Sequence, residues 1–185
     1  MPMPPEGLQI NMMNTLSFEF LEKADFSKHA PRLFDILYSN MSVIAPTGNT
    51  RAEDEKTWFE AVSGGLARDA RKIVLIKDAD KTVGFFQYYI NSRTFMMEEV
   101  QLLSEYQGRG VLRELYSFIM PYIPSEIPSV EAFSDLRNAR SMDILLKMGL
   151  MPISEEGGLC HFCGSLEKLK KWEKDSFENG KEKRK

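Results

Sequence analysis

MEEVQLLSEYQGRGVLRELYSFIMPY, running from Met97 to Tyr122, changes its hydrophobic period partway along and so holds two kinds of structure. Val100, Leu102 and Leu103 read as an extended apolar strand, and Gln107-Gly108-Arg109-Gly110 as a tight turn. After the turn, Val111, Leu112, Leu115, Phe118, Ile119 and Tyr122 recur with the spacing of one face of a helix. A strand ending in glycines that open a helix brings several backbone N–H groups to one point. That point lies at the positive end of the helix dipole and suits phosphate or pyrophosphate. Gly108 and Gly110 let the backbone turn and approach a ligand where a β-carbon would interfere. Two other phosphate signatures are not met. Arg113 stands where a dinucleotide fingerprint needs its third glycine, and no Gly-Lys-Ser/Thr is present.

The chain has 185 residues, 43% of them hydrophobic, enough for one domain with a sizeable core. A net charge of −3 argues against general binding to nucleic acid or to an acidic membrane. No apolar run approaches the ~20 residues that cross a bilayer. The opening MPMPPEGLQINMMN lacks the basic and apolar regions of a secretory signal. A reducing, cytoplasmic setting is the expectation. Cys160 and Cys163 flank His161 and Phe162; one such pair supports neither a zinc site nor a disulfide scaffold, and no metal site is expected. In a strand, Cys160 and Phe162 share one face while His161 and Cys163 share the other.

Residues 1–15, rich in proline and methionine, read as a lead-in. Leu16 to Leu21 alternates as a half-buried strand. Ser27 is the expected cap of a helix from Lys28 to Met41, with Pro31 in its first turn. A second helix is expected from about Asp54, carrying Trp58, Val62 and Leu66, with Gly64-Gly65 weakening or interrupting it. Ile73–Ile76 and Thr82–Ile90 form a hairpin about Asp78-Ala79-Asp80-Lys81, and the organising strand begins near Thr94. Ser129 to Phe133 is a further strand, and Asn138 caps a helix that stops at Gly149. Met151–Ser154 and Leu159–Leu166 are the last strands. The main domain then spans 16–169, followed by a charged tail, 170–185, read as a helical extension running into a solvated end.

Glu105-Tyr106-Gln107-Gly108-Arg109-Gly110 closely resembles the acetyl-CoA-binding loop of the GCN5-related N-acetyltransferases (GNATs), whose signature is Gln/Arg-x-x-Gly-x-Gly/Ala. Leu112 departs from it at the last position. Asp78 to Phe85 resembles the family's hairpin with a Gly-Phe pair on the third strand. Asn138-x-x-Ser141 with Lys147-Met148-Gly149-Leu150 resembles its later Asn-x-x-Ala/Ser…Lys-x-Gly-Phe segment. The resemblance covers about Leu16 to Leu169. It implies an α/β (α+β) fold, with a mixed, mostly antiparallel central sheet of about seven strands flanked by about four helices. It also implies acetyl-CoA as co-substrate, with its pyrophosphate on the amides of Gly108, Arg109, Gly110, Val111 and Leu112. Gln107, Asn138 and Ser141 are the other cofactor-side residues that it points to.

Acetyl transfer to a primary amine, by direct attack within a ternary complex, needs a held thioester, a neutral amine and a stabilised oxyanion. Amines are mostly protonated near neutral pH, so a base removes a proton directly or through water. Glu98 and Glu99 sit on the organising strand, where successive residues face opposite sides, so one of them is expected in the cleft. Family members that carry a carboxylate base here place it nine positions before the Gln/Arg of the loop, which falls on Glu98. The alternative is that both glutamates are solvated, or that one only attracts a cationic acceptor. The resemblance puts the oxyanion donor on a backbone N–H near Leu102 or Leu103. It also implies a tyrosine acid in the later helix, where this chain has Leu145. Tyr106, Tyr116 and Tyr122 are expected to be structural. A non-catalytic acyl-CoA-binding or sensing domain is the competing function. The acceptor is a small-molecule or peptide amine, weakly favoured to be cationic by the acidic residues. An edge strand near the C-terminus leaves room for a homodimer.

Overall fold

A computed structural model describes residues 16–68 and 70–182, with side chains described as far as Asp175. The lead-in at 1–15 and the last three residues lie outside the described residues. The strands are β1 (Ser17–Phe20), β2 (Arg71–Asp78), β3 (Lys81–Ile90), β4 (Thr94–Leu102), β5 (Ser129–Asp135), β6 (Met151–Glu156) and β7 (Leu159–Ser165). They form one seven-stranded sheet in the order β1-β2-β3-β4-β5-β7-β6, with β4/β5 as the parallel pair and every other pairing antiparallel. The helices are α1 (Phe26–Ile44), α2 (Arg51–Ala67), α3 (Val111–Ile119), α4 (Ala139–Lys147) and α5 (Leu166–Glu182). No described helix is long and apolar enough to cross a membrane.

The alternation along the strands splits the core between the two faces of the sheet. Leu33, Val62, Ile73, Leu75 and Phe85 close the face under α1 and α2. Phe86, Phe95, Val130 and Phe162 meet Leu115, Leu145 and Leu169 on the other, under α3, α4 and α5. Each fully buried Leu or Phe contributes about 1.5–3 kcal/mol.

Several helix boundaries differ from the sequence expectations, for local reasons. A single 3-10 turn, Lys23–Asp25, leads straight into α1. The helix therefore starts at Phe26 with Asp25 at the N-cap and no side-chain cap from Ser27. Pro31 then lies beyond the first turn, where it removes the hydrogen bond to the Ser27 carbonyl. α2 starts three residues before Asp54, because Thr50 and Glu53 form a reciprocal capping box. Gly64-Gly65 does not interrupt it. A β-carbon on Gly65 would meet the Arg71 guanidinium at 2.5 Å, so this glycine makes room for a side chain of β2. α3 ends at Ile119, and Pro121 lies in the 3-10 turn that follows. The fifth helix, beside the about four expected around the sheet, is the helical extension expected of the tail. Leu166 and Leu169 are buried in the core, so α5 crosses the expected boundary at residue 170 without a break.

Gly84, on β3, lies against β4 so closely that an added β-carbon would sit 2.6 Å from the Gln101 carbonyl oxygen and 2.8 Å from Leu102 Cδ1. Backbone in mid-sheet cannot retreat. Gly84→Ala is expected to lower unfolding free energy by about 1–3 kcal/mol, read from a urea midpoint at unchanged m-value. An unaltered midpoint would refute this packing.

Candidate functional site

The glycine loop is built by conformation rather than by crowding. Gly108 and Gly110 have φ of +76° and +83°, the left-handed region that only glycine enters freely. The space where their β-carbons would stand is open. Gly110 is the N-cap of α3, and Arg113 N–H is the first to turn back onto its carbonyl, at 2.9 Å. The amides of Val111 and Leu112 thus lie in the first turn, which has no intrahelical acceptors for them. The Leu112 side chain packs against the core, so its bulk lies away from the open side of the loop. Tyr106 Oη donates to Asp78 Oδ2 at 2.6 Å, tying the loop to the β2–β3 turn. Gln107 Nε2 donates to the Leu102 carbonyl at 2.7 Å, and Arg140 Nη1 donates to Gln107 Oε1 at 2.6 Å. Gln107 therefore joins the end of β4 to α4.

The loop stands at the end of a fork. The parallel β4–β5 ladder runs from Thr94↔Ser129 to Met97↔Ala132 and stops there. Beyond it, β4 continues alongside β3 only. Leu103 N–H donates to the Val83 carbonyl at 2.9 Å, so of the two residues near which an oxyanion donor was expected, Leu102 or Leu103, Leu103 has its N–H engaged in the sheet. Antiparallel alternation then turns the N–H groups of Val100 and Leu102 away from β3, toward the fork. The Leu102 carbonyl, on that same side, accepts from both Gln107 Nε2 and Asn40 Nδ2, the latter at 3.1 Å. That carbonyl shares its peptide with the Leu103 N–H bonded to Val83, so the peptide is held on both sides, and the Leu102 N–H on the preceding peptide faces the gap.

Glu98 and Glu99 do not alternate as expected. Gln87 pairs with Glu99 and Tyr88 with Met97, so Glu98 is the extra residue of a β-bulge. The bulge sends both carboxylates to the α1/α2 face. Glu98 receives Arg71 through two charge-assisted hydrogen bonds, Nε at 2.6 Å and Nη2 at 2.7 Å, with Gln87 Nε2 at 3.3 Å. Arg71 is itself anchored on the Ala61 carbonyl of α2 at 2.7 Å. Both Glu98 oxygens are thereby engaged. Glu99 has a different environment. Burial pushes its carboxyl up to about 7, against a hydrogen bond from Gln101 Nε2 at 2.6 Å that acts downward. Asn40 Nδ2 donates to Gln101 Oε1 at 2.8 Å, which fixes the amide so that its N–H₂ faces Glu99. Beside them Gln87 Oε1 is buried without a donor, a position that a ligand N–H or an ordered water would complete.

The remaining sequence candidates separate cleanly. Asn138 Oδ1 accepts from Ser141 N–H at 3.1 Å, so the pair caps α4 one side chain away from the glycine loop. Leu145 is buried in the core and offers no acid. Tyr116 is buried with its hydroxyl on Met97 Sδ at 2.9 Å, and burial drives its phenol far above the ordinary range. Cys160 faces the core, where desolvation raises its thiol, while Cys163 lies on the opposite face of β7; the two form no pair. Among the described residues no group of His, Cys, Asp and Glu is arranged to hold a metal ion. Sequence reasoning passed over Asn40, Arg71, Gln87 and Gln101. One sign was present: a lone Gln87 within Gly84-Phe-Phe-Gln-Tyr-Tyr is a polar residue in an otherwise apolar run.

No protein-family model matches the chain, and no curated protein matches it. Solved structures do. An acetyltransferase from Streptococcus agalactiae superposes with a TM-score of 0.66 at 13% identity, over 82% of this chain and 98% of the other. PaiA N-acetyltransferase from Thermoplasma acidophilum in complex with coenzyme A gives 0.63 at 12%, over 82% and 99%. FdhC, a nucleotide-linked sugar GNAT, gives 0.60 at 14%, over 85% and 90%. The chain has the GNAT fold, with its mostly antiparallel seven-stranded sheet.

A raised carboxyl has a definite thermodynamic sign. The Glu99 acid is neutral in both folded and unfolded chains below about 4.5, so its burial then has no pH-linked cost. Between about 4.5 and 7 the unfolded chain ionises first, and stability falls as pH rises. Glu99→Gln removes that loss and is expected to stabilise the protein by about 1–3 kcal/mol above pH 7.5, relative to its effect near pH 4.5. Thermal melts of both proteins across that range provide the check; a difference constant with pH would refute the raised carboxyl.

Proposed function

We propose that this protein is an acetyl-CoA-dependent N-acetyltransferase that moves an acetyl group to a primary amine by direct attack in a ternary complex. The observation that carries this reading is one juxtaposition. A glycine-opened helix N-terminus stands at the end of the strand that forks from β5, and a half-buried carboxyl near neutrality lies on that strand. The residues present fit the co-substrate. The amides from Gly108 to Leu112 hold its pyrophosphate at the positive helix end, in the open space left by two left-handed glycines. The fork admits the pantetheine arm between β4 and β5. A GNAT-fold neighbour solved in complex with coenzyme A supports acetyl-CoA as the co-substrate.

Acetyl-CoA supplies an acetyl group already activated as a thioester; the amine N–C bond forms as the C–S bond breaks and the thiolate leaves. The Leu102 N–H, one peptide before the doubly anchored Leu102 carbonyl, faces the developing oxyanion. Glu99 takes the amine proton, since a carboxyl near 7 is poised as a base at physiological pH. Glu98, with both oxygens engaged by Arg71, is neutralised as an ion pair and anchors the bulge. A free thiol's ordinary pKa near ~8.5 makes the thiolate a tolerable leaving group without an acid at Leu145. That leucine is also the observation favouring the second reading, an acyl-CoA sensor that does not turn over.

Calorimetric titration of the full chain with acetyl-CoA, CoA and pantetheine tests the loop. Saturable binding that weakens by at least about ten-fold without the pyrophosphate is expected. Glu99→Gln is expected to lower kcat for an amine substrate by about 10²–10⁴ and to abolish a rising limb near pH 7, with acetyl-CoA affinity retained. No heat with millimolar acetyl-CoA would overturn the assignment. Binding without turnover of any amine would leave the sensor.

A further inference from the structure

The α1/α2 face of the sheet is only half covered. α1 packs on β3 and β4 and α2 on β2. On β5 and β7 that same face leaves Phe133 49% and Leu159 43% exposed. The face assignment follows from register. Val130 and Ala132 point into the α3–α5 core, so Glu131 and Phe133 point the other way, as does His161 opposite Phe133. Thr94 Oγ1 reaches Glu131 Oε1 on this face at 3.5 Å. Here Phe133 and His161 stack with ring centroids 4.3 Å apart and planes 12° from parallel. His161 Nε2 is bonded to Glu131 Oε2 at 2.8 Å, which holds the imidazole under the phenyl ring. The pair is a rigid, half-exposed aromatic platform, not a stray surface apolar residue.

Its position is set by the ladder. Met97↔Ala132 is the last paired step of β4 and β5, so Glu98 and Phe133 are the next residue on each strand, at the mouth of the fork. Both lie on the α1/α2 face, with Glu99 beside Glu98. A ligand at this point meets an aromatic face on the β5 side and the Glu99 carboxyl on the β4 side, the neighbouring Glu98 and Glu131 being engaged by Arg71 and His161. Carboxylates attract an ammonium group, and a free ring face binds a second ring by stacking.

We propose, resting on the acetyl-transfer reading, that the acceptor is a small primary arylalkylamine, whose ring stacks on the exposed face of Phe133 and whose nitrogen enters the fork beside Glu99. The His161–Glu131 pair acts as the support that keeps Phe133 flat to the ligand.

The test compares phenethylamine with butylamine, both with acetyl-CoA and the full chain. The proposal expects kcat/KM for phenethylamine to exceed that for butylamine by about ten-fold or more. Phe133→Ala should bring that ratio close to one, and Phe133→Tyr should keep it. Circular dichroism melts verify that each variant folds. Equal use of the two amines, or a ratio insensitive to Phe133→Ala, overturns the aromatic acceptor while turnover itself upholds the acetyltransferase. If neither amine is turned over, calorimetric binding decides. Phenethylamine that binds at least about ten-fold more tightly than butylamine, and loses that margin in Phe133→Ala, supports the platform; equal or absent binding overturns it.

Discussion

Glu98 is one residue too many for the β3–β4 ladder, and the geometry of the site follows from how that excess is absorbed. The bulge turns two adjacent carboxylates onto one face. It also occurs where the β4–β5 ladder ends, so β4 parts from β5 there while remaining paired with β3. An ionised carboxylate at a half-buried bulge needs a partner, because an unpaired buried charge is strongly destabilising. Arg71 supplies it in bidentate form, and Gly65 supplies the room for Arg71. A glycine in α2, an arginine at the start of β2 and a bulge in β4 therefore form one dependent unit.

The same crowding divides labour between the two glutamates. Neighbouring carboxyls with different surroundings take different protonation states. Glu98 is satisfied by a cation and held in place. Glu99 is desolvated, feels the Glu98 charge, and has a single amide donor, which leaves it near the pH at which proton exchange is easy. Asn40 extends this arrangement into α1, donating both to Gln101 and to the Leu102 carbonyl. One side chain thus orients the amide that faces the acid and the carbonyl that faces the fork.

Much of the fold was legible because it rests on local periodicity. The strand–glycine–helix stretch, the β2–β3 hairpin and the opposite faces of Cys160 and Cys163 all follow from period 2 or 3.6 and from glycine at positive φ. The capping box at Thr50 and Glu53 was equally readable as a Thr-x-x-Glu pattern, although the helix was expected to start later. Gly65 was misread because its reason lies in a different element; helix propensity counts only the local cost of a glycine.

The sequence by itself determined the order of elements, the glycine loop and the presence of two acidic residues on the strand before it. Which carboxylate is free and which is bound was decided only by tertiary structure. Alternation along β4 predicts one glutamate on each face, whereas pairing with β3 inserts a bulge that puts both on the same face. Arg71 lies 27 residues from Glu98, and Asn40 lies 61 from Gln101. Such partners meet only when the sheet closes. The charge state of a side chain depends on the solvent and dipoles that surround it, and no local pattern along the chain encodes them.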